Sequence, residues 1–289
     1  MSVKEIVQEK YGEAALRVTS GKGNACCGSS PSSCSSGADP ITSDLYDELQ
    51  KSELPETAVL ASLGCGNPTA LAELKPGEVV LDLGSGGGFD VFIAGRKVGA
   101  TGRAIGVDMT PDMLAKARRN IAGYREQTGL DNVEFRLGEI EHLPVPDSSV
   151  DVIISNCVIN LSPDKPQVWR EMARALKPGG RVAVSDMALI KPLPAVVLAM
   201  VQALVGCVAG AVLVEDTARM AQAAGLTDLV LKSKSQYVEA MTSFEDPLYQ
   251  KILEHLPKDA KPSDYITSLE VQARKPGAAC CGDGCCAGG

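Results

Sequence analysis

Histidine is nearly missing from this chain. His142 and His255 are the only two, and they are not spaced to share a metal ion. An imidazole metal centre is therefore excluded. A basic excess is missing too: the net charge is -8 over 289 residues. Neutralising phosphates needs a cationic face, so the chain is not a nucleic-acid binder. No apolar core follows Met1-Ser2-Val3-Lys4-Glu5, which argues against a secretory signal. C-x₂-C pairs are missing from both cysteine clusters, Cys26-Cys27…Cys34 and Cys280-Cys281…Cys285-Cys286, which excludes a zinc ribbon. Ten cysteines in 289 residues are also too sparse for a small secreted disulfide scaffold. The expectation is a cytoplasmic, monomeric protein whose thiols are kept reduced. One stretch tests that view. Leu193 to Val214 carries no charge and is long enough to span a bilayer. Pro194, Gln202, Gly206 and Gly210 interrupt it, and Lys191, Glu215 and Asp216 flank it. It reads as a buried helical region roofing a pocket, not as a membrane span.

What is present is a repeating strand-helix pattern. Residues 1–20 read as helical, and Gly21 to Gly37 as a flexible Gly/Ser loop. Apolar runs predict strands at Val79–Leu83, Arg103–Val107, Val133–Leu137, Val150–Ser155 and Arg181–Asp186. Helices are expected at Phe89–Val98, after Thr110-Pro111, and at Lys165–Leu176, the last stopped by Pro178-Gly179-Gly180. Later come a helix at Thr217–Ala224, a strand at Asp228–Ser233 and a final antiparallel edge strand at Tyr265–Arg274. Alternation with short loops means an α/β fold with a doubly wound, mostly parallel, Rossmann-like sheet. Composition divides the chain into an N-terminal helix and cysteine loop (1–60), a cofactor domain (61–190), a smaller C-terminal α+β substrate-binding region (191–275) and a cysteine-rich tail (276–289).

After the first predicted strand comes Asp82-Leu83-Gly84-Ser85-Gly86-Gly87-Gly88. Glycines there let the backbone turn sharply and approach a ligand closely. A dinucleotide fingerprint would need a further glycine where Phe89 stands. A plain strand-helix turn is the bland alternative. Asp108, closing the second strand, suits a ribose diol in either cofactor class. The order of the glycine loop, Asp108, Gly138-Glu139-Ile140-Glu141-His142-Leu143-Pro144, Pro146-Asp147-Ser148-Ser149-Val150-Asp151 and Lys177-Pro178-Gly179-Gly180 resembles the class I S-adenosylmethionine methyltransferases over residues 79–186.

A narrower resemblance follows. Gly64-Cys65-Gly66-Asn67-Pro68-Thr69, Gly106-Val107-Asp108-Met109-Thr110, Ser155-Asn156-Cys157-Val158-Ile159-Asn160-Leu161 and Ser185-Asp186 resemble the arsenite S-adenosylmethionine methyltransferases over residues 60–210. The resemblance implies a cofactor site at Asp82, Gly84, Gly86, Gly88, Asp108, Met109, Glu139, Ile140 and Asn156. It implies three arsenic(III) ligands, Cys65, Cys157 and Cys207, because trivalent arsenic is soft and prefers thiolates. It also implies an N-terminal redox cysteine, matched equally by Cys26 or Cys27, and an external thiol reductant such as thioredoxin or glutathione. The expected reaction is stepwise methylation of thiol-bound trivalent arsenic, serving arsenic detoxification. A buried cysteine is often only a small hydrophobe, a reading that weighs most at Cys207. Two rival functions remain: a quinone-type small-molecule methyltransferase, and a thiol-rich metalloid sensor with a vestigial methyltransferase fold.

Overall fold

The computed structural model describes residues 5, 8, 67–68, 72–200, 207–243 and 246–277. Among the described residues seven strands form one sheet. They are β1 (Val79–Leu83), β2 (Arg103–Asp108), β3 (Val133–Leu137), β4 (Val150–Asn156), β5 (Leu176–Leu189), β6 (Thr227–Lys234) and β7 (Ile266–Arg274). Their order is β3-β2-β1-β4-β5-β7-β6. The first five run parallel; β7 is antiparallel to both β5 and β6. Chain order reverses between β1 and β4, which opens a crevice at the carboxyl ends of the strands.

Helix α1 (Phe89–Val98) follows β1, and α2 (Pro111–Thr128) follows β2. They cover one face of the sheet through a cluster that includes Phe92, Tyr124, Val133 and Phe135. Helices α3 (Lys165–Ala175) and α5 (Val214–Ala223) cover the other face, where Trp169 and Met172 are fully buried. Both faces of the central strands are thus dry, which is why Val150–Ser155 reads as a nearly continuous apolar run. A third cluster caps the carboxyl edge. It joins Leu161, Met187, Leu189, Cys207 and Val208 to α6 (Gln236–Ser243) and α7 (Pro247–Glu254).

Several expectations are corrected. Pro178-Gly179-Gly180 does not separate helix from strand. β5 begins at Leu176, opposite Val150, slips at a bulge and resumes at Arg181. β7 is not an edge strand, because β6 lies outside it. Its polar residues made it look like an edge, but Thr267 and Ser268 are buried between its neighbours. Helices α6 and α7 went unread. Yet Asp246-Pro247 is a helix-start signal, and the Asp246 carboxylate accepts from the N–H groups of Leu248 (2.9 Å) and Tyr249 (3.3 Å). Thr110 sits at the start of α2 without a side-chain cap bond. The segment from Leu193 holds only the single turn α4 (Ala195–Leu198) and, from Cys207, a series of turns, so the expected helical roof is mostly turn structure in its described part. Among the described residues no helix is long and apolar enough to cross a membrane.

Candidate active site

The glycine loop joins β1 to α1 at the carboxyl edge of the sheet. Gly84, Gly86 and Gly88 all have positive φ (68°, 49° and 90°), a region that disfavours side chains. A Cβ on Gly84 would lie 2.4 Å from Val158 Cγ2. A Cβ on Gly86 would meet nothing within 4 Å among the described residues, which leaves that turn open to a ligand.

Asp108, at the end of β2, holds this loop. Its carboxylate accepts from the N–H of Gly86 (2.9 Å) and the N–H of Thr110 (2.8 Å). Burial pushes Asp108 up, and those N–H donors oppose the shift. Asp82, at the end of β1, is raised well above the usual carboxylate range by burial, then by its neighbours Asp90 and Asp108. Buried acids at this turn offer hydrogen-bond acceptors for ribose hydroxyls, and the residues present fit S-adenosylmethionine.

The other predicted cofactor residues fall around the same edge. Met109 follows Asp108 and packs on the edge cluster, and its carbonyl accepts from Gln8 Nε2 at 3.2 Å. Glu139 is exposed and bridged to His142. Ile140 turns its side chain into the core beside Leu143, which leaves its backbone for any ligand. Asn156 ends β4 opposite Ser185.

Cys157 comes next. Its N–H donates to Ser185 O at 2.8 Å, and its φ is 54°. Cys207, whose φ is 61°, arrives from the apolar segment and is buried. Its Sγ donates to Cys157 O at 2.8 Å. Left-handed backbone is uncommon for non-glycine residues and is held in place by surrounding structure, often at functional sites. The two Sγ atoms and a carboxylate oxygen of Asp186 lie within 4.8 Å of one another. That is a compact soft-donor pair beside a buried acid. Asp186 is pushed up to about 7 by burial, against the pull of backbone N–H groups and Lys165. Asp186 stands one residue past the last pairing of β5 with β4, Asn156 with Ser185.

The structure thus brings Cys157 and Cys207 together 50 residues apart in sequence. Cys157 is disulfide-bonded, so the expectation of uniformly reduced thiols does not hold there. Cys207 stands outside any disulfide. Cys65, Cys26 and Cys27 lie outside the described residues, as do Cys34 and the Cys280–Cys286 tail.

A family model for a methyltransferase domain matches residues 74–225. An arsenite methyltransferase of Halobacterium salinarum is 42% identical over 94% of this chain and 66% of its own length. The arsenite methyltransferase of Homo sapiens is 32% identical over 77% of this chain and 58% of its own. The chain thus spans about two thirds or less of these relatives. The crystal structure of an arsenic(III) S-adenosylmethionine methyltransferase from Chlamydomonas reinhardtii superposes with a TM-score of 0.64 at 32% identity, covering 80% of this chain and 73% of the other. At these identities and this structural likeness, the chain belongs to the arsenic(III) S-adenosylmethionine methyltransferase family.

Proposed function

We propose that this protein transfers methyl groups from S-adenosylmethionine to trivalent arsenic held by cysteine sulfur. One observation carries the reading: Gly84 of the cofactor loop abuts Val158, the residue after Cys157, whose carbonyl in turn binds Cys207 Sγ. Cofactor loop and thiol pair are neighbours at the one edge where ligands enter such sheets.

Asp82, the glycine turn, Asp108, Met109, Glu139, Ile140 and Asn156 would hold the cofactor, which supplies an electrophilic methyl group. Cys157 and Cys207 hold arsenic, with Cys65 as third ligand. The arsenic lone pair is the nucleophile, so alignment and exclusion of water are the protein's main tasks. Accepting a methyl cation raises arsenic formally to the pentavalent state. Two cysteine thiols return the electron pair by closing a disulfide, and an external dithiol of the thioredoxin type, or glutathione, reopens it. The disulfide at Cys157 must be opened by reduction before its sulfur can hold arsenic. In this reading the enzyme is a cytoplasmic monomer serving detoxification, with residues 61–190 for the cofactor and 191–275 for the substrate.

A methyltransferase acting on hydroxyl or carbon nucleophiles would need a proton acceptor beside Cys157. Asp186 lies beside both sulfurs, and its oxygens already accept from four N–H groups, which disfavours that rival. The test is incubation of reduced protein with arsenite, thiol and isotope-labelled cofactor, followed by arsenic speciation. Labelled methylarsenicals are expected. Bound arsenite without label transfer would instead identify a metalloid sensor.

A second expectation concerns the N-terminal cysteines. Cys65→Ser, or Cys26→Ser with Cys27→Ser, should impair methylation of arsenite more than that of a monomethylated trivalent arsenical. The motivation is their sequence position, N-terminal to the sheet on Gly-rich chain. A ligand displaced as arsenic gains a methyl, or a thiol used for reduction, matters most in the first round. Truncation before Cys280 should spare both reactions at saturating substrate. Equal loss on both substrates, or turnover abolished by truncation, would refute these roles.

A further inference from the structure

We propose that Asp186 and Asn160 form a positioning pair that sets Cys157 and Cys207 in register for one shared atom; the inference rests on the arsenic-binding reading above. Asp186 lies close to both sulfurs and invites reading as a third ligand. Its hydrogen bonds argue otherwise. One oxygen accepts from Met187 N (2.8 Å) and Asn160 Nδ2 (2.9 Å). The other accepts from Ile159 N (2.9 Å) and Asn160 N (3.3 Å). A carboxylate offers about four lone-pair sites, and four N–H donors use them. Asp186 is a scaffold with little left to give a substrate.

What it scaffolds is the chain that carries the two thiols. Its acceptors fix Ile159 and Asn160, two and three residues past Cys157, while Cys157 N is tied to Ser185 O. The left-handed turn at Cys157 is therefore fastened on both sides. Asn160 extends the hold to the second cysteine. Its Nδ2 also donates to Met187 O at 2.5 Å. Its own carbonyl lies where a Cβ on Gly210 would fall, 2.0 Å away. Glycine at 210 lets the apolar segment seat directly on Asn160, three residues beyond Cys207. Val212 O then accepts from Leu189 N at 2.8 Å, closing that segment onto β5. Asp186 and Asn160 are both buried, so this linkage is shielded from water and holds one geometry.

The test uses phenylarsine oxide as a two-thiol probe, with calorimetry on reduced full-length protein in which Cys26, Cys27, Cys280, Cys281, Cys285 and Cys286 are replaced by serine, so that those adjacent thiols do not capture it. It reads binding without methyl transfer. Asp186→Asn keeps the volume but turns an NH₂ group toward N–H donors. Asn160→Ala cuts the same link from the other side and serves where the first variant folds poorly. Each should weaken probe binding at least about tenfold, as outer-shell partners of metal ligands do, while S-adenosylmethionine affinity stays within about twofold of the wild type. Probe binding unchanged in both variants would overturn the proposal. So would a parallel loss of cofactor binding, which means general disruption. A serine-replaced parent protein, with neither Asp186 nor Asn160 changed, that binds no probe would sink the arsenic reading itself, and this inference with it.

Discussion

Cys157→Ser and Cys207→Ser should each reduce methylation of both arsenite and a monomethylated trivalent arsenical by at least about 100-fold, since even outer-shell changes cost about 10–100-fold. On the proposed reading both cysteines act in every round, because after one methyl is added arsenic has fewer positions left for sulfur. Serine nearly keeps the size but replaces a soft donor with a hard one. The surroundings sharpen the expectation. Cys207 is buried among apolar side chains, where a hydroxyl gains no compensating solvent. Cys207 Sγ also contacts Cys157 O at 2.8 Å, so the two positions are one unit. Arsenic speciation after fixed-time incubation measures the effect. Substantial turnover of the monomethylated substrate by either variant would remove that cysteine from the ligand set.

Asp108→Ala should weaken S-adenosylmethionine binding by about 1.5–3 kcal/mol, the scale of hydrogen bonds to a charged acceptor, or roughly 10- to 150-fold. Two effects combine. The ribose hydroxyls lose their acceptor, and Gly86 N loses the carboxylate that orders the glycine turn. Calorimetry reads the loss directly. The pH dependence has a definite sign. Burial holds the Asp108 pKa above its ordinary value. As pH falls through that raised value the carboxyl gains a proton and loses acceptor capacity. Cofactor affinity should therefore decline on acidification, starting at a higher pH than for an exposed aspartate. Unchanged affinity in the alanine variant would count against the ribose assignment.

The cofactor half of the molecule was legible because its signals are local. Val79–Leu83 and Phe89–Val98 match the observed β1 and α1 boundaries, because a glycine run must separate a buried strand from the helix it feeds. The place of Asp108 at the end of β2 was legible for a similar reason, since the carboxyl ends of parallel strands border the crevice. The substrate half depends on distant pairings. Nothing local in Ile266–Arg274 says that another strand lies outside it, since Thr267 and Ser268 look solvent-facing in sequence yet are buried in the fold. Cys157 was legible at a strand end, and Cys207 only through resemblance, because an apolar run around a cysteine reads equally well as core. The hydrogen-bond hub at Asp186 was illegible, since three of its four donors are backbone N–H groups that any sequence supplies and the fourth, Asn160 Nδ2, lies 26 residues away in sequence.

The 50-residue separation between Cys157 and Cys207 gives the proposed substrate a second consequence. An atom bonded to both sulfurs would tie β4 to the segment crossing above it and close a loop that includes α3 and β5. Such a tie restricts the unfolded chain as a covalent cross-link does. The loaded protein would then differ from the empty one in effective chain connectivity. Each turnover would fasten and release a clasp that the sheet cannot provide for itself.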